Sequence, residues 1–119
     1  MTVKLLLLKS GEDIVADVQE MIVDEKVVGY YLKYPCRAKL VADMSQSDGN
    51  NKVPSKIQLQ PWIPLSSDKV VPLVSDWVIT ITEPVNQLKT MYQDGVDQYE
   101  ARESESASSN ESTNSVSTD

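Results

Sequence analysis

The chain has 119 residues, 40% hydrophobic and 24% charged, with a net charge of −7, no histidine, no phenylalanine and one cysteine. That size fits a single domain with a modest core built from Leu, Ile and Val. The missing histidines remove the commonest general base and metal ligand. Cys36 alone forms no intrachain disulfide and has no histidine to activate it.

The first element is the apolar run Val3 to Lys9, which predicts a strand. Its four leucines, Leu5 to Leu8, are too few for a secretory signal, and no run reaches the ~20 apolar residues of a membrane span. The expectation is an intracellular, cytoplasmic protein. Gly11 marks a tight turn. From Asp13 to Val23 the residues alternate, with Ile14, Ala16 and Val18 on one face. Asp24, Glu25 and Lys26 make a polar turn into a third strand from Val27 to Tyr34. Pro35 lacks a donor for the ladder, so it kinks or bulges that strand before it resumes over Cys36 to Ala42. A polar loop, Asp43 to Val53, carries Asp48-Gly49 as its turn signal.

Lys56 to Leu65 reads as a fourth strand confined to an edge by Pro61 and Pro64. Trp77 to Thr82, WVITIT, reads as a fifth. Val85, Leu88, Met91, Tyr92, Val96 and Tyr99 then recur at helical spacing, with Thr82 or Glu83 as cap and Pro84 in the first turn. Residues 101–119 are rich in Ser, Thr, Asn and Glu, with Val116 as their one large apolar side chain, a composition of disorder. The expected division is a barrel over 1–83, a packing helix over 84–100 and an acidic tail over 101–119. The tail carries −3 of the charge and the remainder −4. The fold class expected is mostly β: a small five-stranded bent antiparallel barrel with a C-terminal helix.

The stretch LKSGEDIVADV, with Gly11 as turn glycine, resembles the first motif of the Sm-like family of small bent barrels. LVSDWVITITEP, Leu73 to Pro84, resembles its second motif. Two departures stand out. The family's second glycine is replaced by Ala16 or Asp17. No arginine stands at Val74-Ser75 and no aspartate-to-asparagine pair at Asp24 to Lys26, so the family's RNA-binding pore residues are largely absent. A helix at the end instead of the start is a further difference. The overall look is similar to Sm-like proteins of marine cyanophages. The resemblance implies a homo-oligomeric ring, of about five to seven subunits and with a pentamer in that range, closed by pairing the fourth strand of one subunit with the fifth of the next. It also implies single-stranded RNA or DNA as partner, with no cofactor and no enzymatic activity.

An acidic domain binds a polyanion only through a local basic patch. Lys33, Arg37 and Lys39 alternate along the third strand and would share one face of a straight strand, with Tyr31 beside them; the alternative is that Pro35 rotates one half of the strand relative to the other. Cations beside an aromatic suit phosphates and a stacked base; the plainer reading is a solvated strand face. Trp62, among prolines, is a second stacking or interface candidate. The carboxylate pairs Glu12-Asp13 and Asp24-Glu25 sit at turns and form no cleft. The rival function is an acidic adaptor ring that contacts other proteins through its helix and tail.

Overall fold

The computed structural model describes residues 1–42 and 55–117, with side chains to Ser104. The loop expected between Asp43 and Val53 lies outside the described residues. Six strands form one antiparallel sheet: β1 (Val3–Leu8), β2 (Asp13–Val23), β3 (Lys26–Ala42), β4 (Ser55–Pro61), β5 (Val70–Val74) and β6 (Val78–Thr82). They are followed by one helix, α1 (Asn86–Ser117). The order is β4-β3-β2-β1-β6, and β5 also pairs with β3.

The sheet is open, because β5 and β6 are joined by a 3-10 turn over Ser75–Trp77 and do not pair with each other. The strand missed in the sequence is β5. Pro72 in its middle reads as a strand breaker, yet it is accommodated opposite Tyr31, on a strand with a single partner. The expected fourth strand is shorter than its apolar pattern, ending at Pro61. A turn closed by Ser66 N–H to the Ile63 carbonyl follows it.

Two turns fix the hairpins. Gly11 has φ +87°, a conformation that needs no Cβ. The β2–β3 hairpin has only Asp24 and Glu25 between Val23 and its partner Lys26, and both have positive φ, 51° and 65°. Two left-handed residues match the twist of the flanking strands.

The sheet is covered on both faces, so strands that alternate still bury both sets of side chains. On one face Leu6, Leu8, Ile14, Ala16, Leu32 and Leu73 form the barrel interior, with Trp62, Val78 and Ile81 packed on it. On the other, Val3 and Val15 meet Leu88, Tyr92 and Val96 of α1, with Leu5, Cys36, Ala38, Ile57 and Leu59 around them. The predicted helical stripe is therefore narrower than read. Leu88, Tyr92 and Val96 are buried, whereas Val85 and Tyr99 stay exposed. Pro84 lies just before the helix, whose first bond runs from Lys89 N–H to the Val85 carbonyl. Helical backbone continues to Ser117, past the last residue of the stripe.

Candidate nucleic-acid interface

The expected site lies on β3, and a bulge decides its shape. Val15 pairs with Cys36 and Asp17 with Lys33, so Tyr34 and Pro35 together face Ala16 alone. Tyr34 takes up the extra residue with φ 49°, and Pro35, lacking a donor, stands beside it. The bulge falls opposite Ala16, where the sequence departs from the family's glycine. It also divides the other edge of β3. Gly29 to Lys33 offers its far side to β5, and Cys36 to Ala42 offers its far side to β4. One hydrogen bond on each side of the division, Tyr34 N–H to the Lys69 carbonyl and Trp62 N–H to the Pro35 carbonyl, holds the two strand ends.

Tyr92 of α1 mends the ladder where the bulge breaks it. Its hydroxyl donates to the Lys33 carbonyl at 2.5 Å and accepts from the Asp17 N–H at 3.0 Å. Burial raises the Tyr92 hydroxyl well above its ordinary pKa, so it stays a neutral donor.

An extra residue inverts the side-chain alternation. Before the bulge, Leu32 points to the barrel interior and Lys33 to the helix side; after it, Cys36 and Ala38 point to the helix side. Arg37 stands opposite Ile14 of the barrel interior, and Lys39 shares its side. The expected single face is therefore two. Tyr31 and Lys33 share the helix-side face, and Arg37 and Lys39 share the opposite one.

Carboxylates answer most of these cations. Lys33 Nζ lies 3.7 Å from Glu100 Oε1 and 5.7 Å from the centre of the Tyr34 ring. Arg37 Nε lies 3.9 Å from Glu12 Oε2. Among the described residues no ion pair involves Lys39. Lys69, not anticipated as part of a site, pairs with Glu103 at 2.6 Å, and that hydrogen bond raises its pKa. Tyr34 stacks edge-on against Tyr99 with ring centres 5.3 Å apart. Its pKa is raised by burial first and then by Glu103 and Glu100. These are half-exposed surface pairs, screened by solvent and weak.

Trp62, expected as a stacking platform or interface anchor, packs on the barrel interior, and its indole N–H donates to Glu12 at 3.4 Å. Burial pushes the Cys36 thiol up, away from the thiolate a nucleophile requires. Among the described residues no cluster of His, Cys, Asp or Glu has the arrangement of a metal site. No described helix is long and apolar enough to cross a membrane. What sequence reasoning missed is the group formed by Tyr34, Tyr99, Lys69, Glu100 and Glu103, because it joins residues up to 69 positions apart across the bulge and α1.

The family model of the Sm_like domain matches residues 2–93, which span all six strands and the first turns of α1. No curated protein matches the chain. With a model covering most of its length, a turn glycine after the first strand and a bent antiparallel sheet, the chain belongs to the Sm-like family.

Proposed function

We propose that the chain is a subunit of a homo-oligomeric ring that binds single-stranded RNA or DNA. The observation that carries the ring is the open sheet. Among the described residues β5 and β6 each pair on one side only, and they expose Val74 (65%) and Ile79 (60%). Unpaired, apolar strand edges are templates for another strand, and a closed ring removes them. Joining β5 of one subunit to β6 of the next satisfies both edges at once. A phage-encoded origin, with the ring acting in the cytoplasm of a bacterial host, belongs to the same proposal.

Nucleic-acid contact is assigned to Tyr31 and Lys33, an aromatic and a cation two residues apart on one face. Each subunit then neutralises about one phosphate, and log affinity falls with log salt at roughly 0.7 per phosphate on single strands. A ring adds avidity only when one strand reaches several subunits. Titrating labelled single-stranded RNA and DNA at low salt tests this. Tyr31→Ala with Lys33→Ala is expected to weaken binding and flatten the salt slope. Arg37→Ala with Lys39→Ala, on the opposite face, is expected to leave that slope unchanged. Absence of binding by the parent chain would overturn the reading.

A second reading, an acidic adaptor ring for protein partners, is favoured by one observation. Lys33, Lys69 and Arg37 each already face a carboxylate of the same chain. It replaces the first if the ring forms and binds no strand.

A further inference from the structure

Gly95 lies inside α1, where glycine is among the least favourable residues. A Cβ built on it meets nothing within 4 Å, and its backbone is not in the left-handed region. Nothing described in the chain therefore requires a glycine there. What Gly95 faces is a cavity of about 360 Å³ between α1, the β3 bulge and the segment after β4. That volume is at the lower end of small-molecule sites.

The walls are mostly apolar, and four aromatic rings stand among them. Tyr34, Tyr92, Tyr99 and Trp62 line the cavity with Met91 and Val96. Gln60, Ser66 and Asp68 add hydrogen-bonding groups. Beside it Lys33 and Lys69 are paired with Glu100 and Glu103, which leaves the carboxylate of Asp68 in the lining as the net charge, a negative one that repels phosphate. The recognised group is then a neutral one, with phosphate contributing little at this point. A flat heterocycle with polar edges satisfies such a lining; it stacks on aromatic faces, and its amino and carbonyl groups meet the amide and carboxylate.

We propose that this cavity binds one unpaired nucleobase of a single strand, with Gly95 as the opening that lets the ring lie against α1. The inference rests on the single-strand reading above and gives it a base-binding subsite, next to Lys33 on the helix-side face.

The test uses the full chain and Gly95→Leu. The leucine fills the cavity while favouring the helix, so a thermal melt of the variant is expected to be no lower than that of the parent. Adenosine, cytidine and uridine, which carry no phosphate, are titrated while the two indole N–H resonances are followed. The Trp62 resonance is expected to shift saturably in the parent and to stay fixed in Gly95→Leu, with that of Trp77, which does not line the cavity, unmoved in both. The variant is also expected to bind labelled single strands about tenfold more weakly, the loss of one stacked base. If strands bind parent and variant equally, or the nucleosides leave Trp62 unmoved, the base site is overturned while the single-strand reading stands. If the nucleosides shift Trp62 but no strand binds, the single-strand reading falls, and with it the base site as a strand subsite, the cavity then being a site for free nucleosides. If neither nucleosides nor strands bind the parent, both fall. If the nucleosides fail and Gly95→Leu alters the mass of the assembly, the cavity receives a side chain of another copy and the base site is overturned.

Discussion

Tyr92 joins the two layers of the molecule through a single oxygen. Its hydroxyl serves both the Asp17 N–H and the Lys33 carbonyl at the bulge, and it is almost wholly buried. Tyr92→Phe keeps the ring and leaves two backbone groups unpaired, so it is expected to cost about 1–3 kcal/mol in a urea unfolding titration. The pH dependence follows from the same contact. The folded state raises the hydroxyl pKa above its unfolded value of ~10, chiefly by burial. The unfolded chain therefore releases that proton first. The stabilisation is complete below the unfolded pKa and is lost as pH rises from there through the folded value. Alkaline titration of stability is expected to show this decline in the parent and to show it reduced in Tyr92→Phe, with Tyr34, Cys36 and Lys69, also raised, contributing to the remainder.

At the scale of elements, β3 is the strand on which the others depend, since it pairs with β2, β4 and β5. Gly29 permits one of those pairings. A Cβ there would sit 2.6 Å from the Leu73 carbonyl oxygen, a backbone atom that cannot rotate away. Gly29→Ala is expected to push β5 off β3 and to destabilise the chain by about 1–3 kcal/mol, read as a lower melting temperature. The β2–β3 turn offers the opposite case. Glu25 has φ 65° with no glycine's freedom, and Glu25→Gly is expected to gain about 0.5–1 kcal/mol by relieving that conformation. Most strands and the start of the helix were legible because period two and helical spacing are local patterns. β5 was not, because Pro72 speaks against a strand locally, whereas β3 and the hairpin of β3 with β4 position it from elsewhere.

At the scale of the molecule, α1 closes one face of the sheet, and the assembly is expected to close its edges. Deleting residues 105–119 keeps every described side chain that packs on Val3, Val15 or Tyr34, so the melting temperature is expected to stay within about a degree or two. Deleting residues 86–119 uncovers Val3 and Val15 and strips Tyr92 from the bulge, so the remaining sheet is expected to aggregate. Light scattering on the full chain is expected to give a multiple of the 13.2 kDa subunit mass. A monomer at micromolar concentration would remove the ring, and with it the avidity that weak strand contacts need.

The sequence by itself determined the class of fold, because burying both faces of a bent sheet demands alternating apolar residues, turn signals and a covering helix, all of which are local. It also determined that these residues supply no histidine and that Cys36, the single cysteine, closes no disulfide within the chain. The tertiary structure alone decided which side chains share a face. Lys33 and Arg37 are an even number of residues apart and would lie together on a straight strand. A left-handed Tyr34, held by Tyr92 from a helix 58 residues further along the chain, turns them to opposite sides. Alternation is counted along the chain, whereas a bulge is decided by what packs across it.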